Sequence, residues 1–111
     1  MIKGHRIEKF EEVKNFLNRI EAYDETRMES TKHTLFRLSE RQRKVFSCEN
    51  LKRILLHENP LKVGIQYNGN YALYYSGKES SEVIKMIIDL KPSLIKVVTF
   101  YVIDNSQLPK R

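Results

Sequence analysis

The sequence predicts an α+β domain in which N-terminal helices pack on one face of a four-stranded antiparallel sheet. Two observations lead to this prediction. In the first half of the chain apolar residues recur every three or four positions, as in helices, whereas the second half is rich in alternating, β-branched and aromatic residues, as in strands. In addition, Asn68-Gly69 lies between two of the later apolar runs and is typical of a β-hairpin turn.

Length, composition and charge fit one basic domain. The 111 residues, 41% hydrophobic and 31% charged, can bury a single core. The 20 lysines and arginines outnumber the 14 acidic residues, and the resulting formal charge of +6 favours a polyanionic partner. A lone Cys48 excludes an intrachain disulfide, and no apolar run predicts a signal peptide or a membrane span. We therefore expect a cytoplasmic protein without membrane contact.

Two helices are predicted in the first part of the chain. Apolar side chains at three- and four-residue intervals define the first helix, which covers residues 5–23. Charged residues then interrupt the pattern, and either Ser30 or Thr31 can cap the second helix.

A third helix is predicted from Cys48 to His57. Ser47 precedes it as an N-cap, and Asn59-Pro60 ends it because the residue before a proline avoids helical backbone angles. His57 then lies in the last turn, where the helix dipole favours a cation, and we prefer this structural role to a catalytic one.

Residues 63–77 predict a β-hairpin. Asn68-Gly69 suits a two-residue type I′ turn, in which both positions adopt positive φ. Such a turn would place Ile65 opposite Ala72, while Gln66 would face Tyr71 on the other surface of the hairpin.

Two further strands complete the predicted sheet. In Glu82–Leu90, apolar residues alternate with Lys85 and Asp89, so the helices should cover the apolar side. A helix is the alternative for this segment, because so short an apolar run does not define its own period. Residues 95–103 are largely β-branched and aromatic. The sheet face that carries tyrosine and threonine among polar groups should stay open for a ligand.

A cationic stripe marks the predicted second helix. His33, Arg37 and Arg41 recur every four residues and share one helix face, with Lys44 in the same sector. A metal-independent ribonuclease needs a proton acceptor or donor and cations around the scissile phosphate, and histidine and arginine supply these. The structural alternative is a solvated helix face in which Glu40 pairs with Lys44 or Arg37.

Hydroxyl groups on the last strand are candidates to complete this site. Thr99 and Tyr101 project from one face of that strand, although both residue types also simply favour strands. The predicted nucleic-acid contacts are Lys32, Arg43, Lys44 and Tyr71. The cations would meet phosphates, and the tyrosine would stack on a base unless it packs against cross-strand neighbours.

A family resemblance centres on the basic segment. It lies in TKHTLFRLSERQRKVFSCENLKRILLHENP, the hairpin that follows, and the closing VVTFYV. These features resemble a family of small domains with His, Arg and Arg at four-residue spacing on an early helix, grouped with the barnase, EndoU, colicin and RelE class of ribonuclease toxins. The resemblance covers residues 30–104 and leaves residues 1–29 as an N-terminal helix and linker, and residues 105–111 as a tail, of one domain.

The resemblance implies a RelE-like or barnase-like core and a site made by His33, Arg37, Arg41 and Thr99. It further implies a toxin that cleaves RNA, free or on the ribosome, without metal or cofactor, and that an acidic antitoxin holds inactive. The charged loop at residues 77–81 and the lack of a glycine-led turn after the stripe depart from that family. Two alternatives use the same stripe: a non-catalytic nucleic-acid-binding module, and a protein-interaction subunit that docks an acidic partner.

Overall fold

The architecture, seen in a computed structural model that describes residues 6–30 and 47–109, is rich in β-structure. Its strands are β1 (Ile7–Glu11), β2 (Met28–Glu29), β3 (Lys62–Gln66), β4 (Tyr71–Ser76), β5 (Glu82–Leu90) and β6 (Ile95–Asp104). The α-helices in these two ranges are α1 (Val13–Ile20) and α2 (Cys48–His57). Short 3-10 turns occupy Glu25–Arg27 and Asn105–Gln107.

All of these strands form one mixed sheet in the order β1-β3-β4-β5-β6-β2. The run from β3 to β6 is an antiparallel meander, β1 pairs antiparallel with β3, and β2 pairs parallel with β6. The predicted four-stranded antiparallel sheet with helices before it is therefore wrong, because the described part of the chain adds two strands and places one of them ahead of every helix. The basic stripe of the predicted second helix, from His33 to Lys44, falls within residues 31–46, which lie outside the described ones.

The predicted first helix is instead a strand followed by a shorter helix. Residues before Val13 form β1, in which Lys9 pairs with Ile65 and Phe10 pairs with Gly64. Spacing alone allowed either structure here, because only two apolar residues precede Val13 in this segment. The free edge of β3 decided the outcome, since its backbone N–H and C=O groups need partners that only a neighbouring strand supplies.

Helix α2 forms where the sequence predicts it. Ser47 is its N-cap, and the hydroxyl oxygen of Ser47 accepts a hydrogen bond from the backbone N–H of Asn50 at 3.2 Å. The helix ends at His57, before Asn59-Pro60. Neither of the two helices described is long and apolar enough to cross a membrane.

The helices cover one side of the sheet, here called the helix face. Phe16 of α1 and Leu51 and Leu55 of α2 are fully buried there. The sheet contributes buried residues that alternate along its strands, among them Leu73, Tyr75, Ile84, Met86, Ile88 and Phe100. This confirms the prediction that the apolar side of β5 faces the helices.

The turn between β3 and β4 is not the predicted type I′ turn. Gly69 has a φ of +90°, but no other residue type in the described ranges has a positive φ, so Asn68 does not adopt the left-handed conformation. The Gly69 N–H donates to the Gln66 carbonyl at 2.9 Å, and the Gln66 N–H donates to the Asn70 carbonyl at 2.8 Å. The loop therefore has three residues, a length that commonly ends on a left-handed glycine.

The longer loop moves the register of the hairpin by one residue. Ile65 pairs with Tyr71 rather than with Ala72, so the predicted pairing is wrong. Because successive strand residues point to opposite faces, this shift decides which side chains share a face. It places Ile65 and Tyr71 on the helix face and leaves Gln66 on the other side of the sheet.

Gly69→Ala is expected to lower the free energy of unfolding by about 1–2 kcal/mol, because a side chain is strained in the left-handed region. Space is not the cause, since a Cβ at this position would meet no atom within 4 Å. Urea unfolding measures the change, and Gly69→Asn is the control because asparagine tolerates this conformation better. Equal stability of the wild type and the alanine variant would contradict this account of the turn.

The Tyr75 hydroxyl is an unusual polar group in the core. Its oxygen is buried and has no hydrogen-bond partner in the part of the chain that the structure describes. Burial, with a smaller contribution from the charge of Glu58, raises the pKa of Tyr75 above its ordinary 10.0. The folded protein thus holds this proton more tightly than the unfolded chain does, and the associated stability is lost as the pH rises above about 10.

Tyr75→Phe is expected to keep or raise stability at neutral pH, by up to about 2 kcal/mol, because it removes an unpaired buried hydroxyl. It should also weaken the loss of stability above pH 10, whereas Tyr67→Phe, at a tyrosine that is 55% exposed, should not. Urea unfolding at neutral and alkaline pH tests both statements. If the free energy of unfolding of Tyr75→Phe fell above pH 10 as steeply as that of the wild type, another group would control this loss of stability.

Candidate nucleic-acid interface

The side of the sheet away from α1 and α2, here called the open face, carries a row of lysines and tyrosines. The register pairs Lys62 with Tyr74, and it pairs Lys85 with both Tyr74 and Tyr101. Paired residues on adjacent strands project from the same face, so these four side chains lie side by side and form what we call the Lys-Tyr row. At its β1 end, Lys62 Nζ lies 5.4 Å from the ring centroid of Phe10.

The ammonium of Lys85 lies between two phenol rings. Its Nζ is 5.5 Å from the ring centroid of Tyr74 and 5.6 Å from that of Tyr101. Burial lowers the pKa of Lys85, but its hydrogen bond to Tyr101 and its interactions with Tyr74 outweigh burial and raise the pKa above 10.5. Burial also raises the pKa of Tyr74. At physiological pH, Lys85 is therefore a cation and Tyr74 is a neutral phenol.

A cleft of about 300 Å³ opens on the open face beside this row. Lys85, Thr99 and Tyr101 bring a cation and two hydroxyl groups to it. The other lining residues are Gln66, Asn70, Ile87 and Val98. Such a volume is at the lower end of what small-ligand sites offer, and none of these lining residues is acidic.

A β-bulge in β6 brings consecutive residues to the cleft. Ile88 pairs with Val97 and Ile87 pairs with Thr99, so Val98 has no partner in the register. As a result both Val98 and Thr99 line the cleft, and Val98 is 41% exposed. Bulges of this kind redirect side chains and are frequent next to functional sites.

Gln66 is the buried polar residue of the cleft. Its side chain is only 4% exposed, and its Oε1 has no hydrogen-bond partner among the residues described. A buried acceptor without a partner costs roughly 1–3 kcal/mol, so such groups are uncommon in folded proteins. A ligand that donates a hydrogen bond in the cleft would remove this cost.

The structure brings together some of the residues predicted from the sequence. Thr99 and Tyr101 share the open face, as predicted, and meet in the cleft. Tyr71 lies on the helix face, where its ring centroid is 5.5 Å from that of Phe16, so it is not part of the cleft. The other predicted site residues lie outside the described ones: Lys32, His33, Arg37, Arg41, Arg43 and Lys44.

Among the residues that line the cleft, sequence reasoning predicted only Thr99 and Tyr101, and the functional groups that it missed include Lys85 and Gln66. The alternation in β5 predicts only that Lys85 lies on the side of the strand away from the helices, although a lysine between Ile84 and Met86 on a strand rich in apolar residues is a signal of its own. Gln66 gave no usable signal, because the assumed hairpin register placed it opposite Tyr71.

Comparison with known proteins identifies a family. The model of the MJ0788 family matches residues 11–88, more than half of the chain, and the chain therefore belongs to this family. The matched region includes Gln66 and Lys85, whereas Thr99 and Tyr101 follow it. No curated protein and no solved structure matches the chain.

Proposed function

We propose that this member of the MJ0788 family binds single-stranded RNA on the open face of its sheet. The observation that supports this most directly is the position of Lys85, whose ammonium lies between two phenol rings at a cleft with no acidic residue among its described lining residues. The formal charge of +6 adds a general attraction for a polyanion.

The polar groups at this end of the cleft suit a phosphate. Lys85 donates charge-assisted hydrogen bonds, which are stronger than neutral ones, and the hydroxyls of Thr99 and Tyr101 are further donors. Tyr74 is almost fully buried, so its role is to support Lys85 rather than to meet the ligand. The cleft therefore offers one cation and two hydroxyls to an anionic oxygen.

A single strand fits this surface better than a duplex. Proteins read single strands by splaying out bases, whose faces stack on aromatic or apolar groups and whose edges form hydrogen bonds. Ile87 and Val98 supply apolar surface next to the phosphate end, and Tyr101 adds a half-buried ring. The choice of RNA over DNA rests on the resemblance of residues 30–104 to RNA-cleaving toxins.

Binding and its location are tested together. A short labelled RNA is titrated in EDTA at increasing salt, and amide chemical shifts are followed in the isotope-labelled protein. We expect salt-sensitive binding, with shifts concentrated at Lys85, Thr99 and Tyr101. No binding at low salt, or shifts that cluster on α1 and α2, would contradict the proposal.

A metal-independent ribonuclease toxin is the second candidate. It is favoured because Thr99 and Tyr101, predicted as catalytic, line one cleft with Lys85. In such a reaction the 2′-oxygen attacks the adjacent phosphorus and the bond to the 5′-oxygen breaks, while a base takes the 2′-proton and an acid protonates the leaving oxygen. Lys85 keeps its proton at neutral pH and would stabilise the phosphorane, so the proton acceptor would be His33.

This second candidate carries further expectations. A toxin of this type acts in the cytoplasm and has an acidic antitoxin as its partner, whereas a binding module needs neither. Incubating RNA with the protein in EDTA, with and without ribosomes, separates the two candidates. Intact RNA in both reactions would support a binding module without catalytic activity. Products that end in a 2′,3′-cyclic phosphate would support the ribonuclease toxin.

A further inference from the structure

We propose that the cleft on the open face holds one nucleotide and that Gln66 reads its base, with a preference for adenine. This inference rests on the proposed RNA binding and specifies what that surface recognises. It starts from the end of the cleft that is remote from Lys85, where the lining groups are carboxamides rather than cations.

Gln66 is placed at that end by the hairpin. It is the last residue of β3, and the hydrogen bond from its N–H to the Asn70 carbonyl, at 2.8 Å, closes the loop. Both Gln66 and Asn70 line the cleft, so two side-chain amides lie at the same end. The unpaired Oε1 of the buried Gln66 side chain requires a hydrogen-bond donor, and the ligand is the partner that the cleft can supply.

The lining groups follow the order of the parts of a nucleotide. Lys85 and Tyr101 suit the phosphate, Ile87 and Val98 offer apolar surface to the flat faces of the base, and Gln66 meets the polar edge. The strand register separates the two polar ends of the cleft. Followed from β3 across β4 to β5, it places Gln66 in line with a position of β5 that is four residues from Lys85. A phosphate alone would therefore leave the amide end of the cleft without a partner.

Adenine suits this end best. A side-chain amide can accept a hydrogen bond from the exocyclic N6 amino group and donate one to the neighbouring ring nitrogen, a pairing that recurs for glutamine and asparagine with adenine. The N6 amino group would satisfy Gln66 Oε1. A purine also presents a larger face than a pyrimidine to Ile87 and Val98.

The test compares two short RNAs that differ at one group. One contains adenosine, and the other contains purine riboside, which lacks only the 6-amino group, in the same flanking sequence. Fluorescence anisotropy should show about 10-fold tighter binding of the adenosine RNA by the wild type. Gln66→Met, similar in length but without the amide, should bind both RNAs equally, with the affinity of the wild type for purine riboside.

Two controls separate the possible failures. Gln66→Met removes a buried unpaired acceptor, so thermal unfolding should show a fold at least as stable as the wild type. Lys85→Met should weaken binding of both RNAs and keep their ratio. Equal affinities in the wild type, or a preference that survives in Gln66→Met, would overturn the adenine subsite while RNA binding stands, whereas no binding of either RNA would refute the proposed function itself.

Discussion

Lys85→Met is expected to weaken RNA binding by about 10- to 100-fold, the range of a lost hydrogen bond to a charged group. Methionine keeps a long apolar side chain between Tyr74 and Tyr101 but removes the ammonium that meets the phosphate. The plot of log affinity against log salt should also become less steep, with a slope smaller in magnitude by about one, because one phosphate contact is lost.

The matched control is Lys14→Met. Lys14 is exposed on α1, on the other side of the sheet, and its loss changes the net charge by the same amount. We expect only a small change in affinity from this variant, because a distant exposed charge is screened by salt. Equal losses in both variants would mean that net charge alone attracts RNA and that the cleft is not the binding site. Thermal unfolding of both variants checks that they remain folded.

His33→Ala is expected to slow RNA cleavage in EDTA by about 100- to 10,000-fold if the protein is the ribonuclease of the second candidate, since that is the usual contribution of a general acid or base. The affinity for RNA should change far less, because binding rests on the open face. Arg37→Ala should also reduce the cleavage rate, through lost stabilisation of the phosphorane. The measurement is a single-turnover cleavage rate with the products identified by their ends.

Lys14→Met again serves as the control, and Tyr101→Phe probes the cleft in the same assay. The phenylalanine variant should slow cleavage only if the cleft and the basic segment act on one phosphate. Cleavage that is unchanged in His33→Ala, or that stops when Mg²⁺ is removed from the wild type, would exclude the proposed chemistry.

Local signals account for the elements that the sequence identified. Ser47 and Asn59-Pro60 bound α2 because a cap and a proline act on the backbone within a few residues. The alternation in Glu82–Leu90 identified a strand, and the competing helix is excluded because β4 and β6 pair with it on both sides. Within the site, the alternation of side chains along a strand was enough to predict that Thr99 and Tyr101 share one face of β6.

The errors arose where the outcome depended on a partner distant in the chain. The residues before Val13 became a strand because β3 offered an unpaired edge, and nothing in their own spacing shows that edge. At the hairpin, Asn68-Gly69 permitted two turn types that differ by one residue in register. The choice between them decided which residues of β4 share a face with Gln66.

The sequence by itself thus determined the caps of α2, the strand segments from β3 to β6, the basic character of the chain and the shared face of Thr99 and Tyr101. All of these follow from interactions within a few residues or from composition. Only the tertiary structure decided the order of the strands, the meeting of Lys85 with Tyr74 and Tyr101, and the position of Gln66 in the same cleft. Those contacts join residues on different strands of the sheet. Which strands pair depends on the backbone groups that still need hydrogen-bond partners and on the apolar faces that still need to be buried, and both are properties of the whole chain.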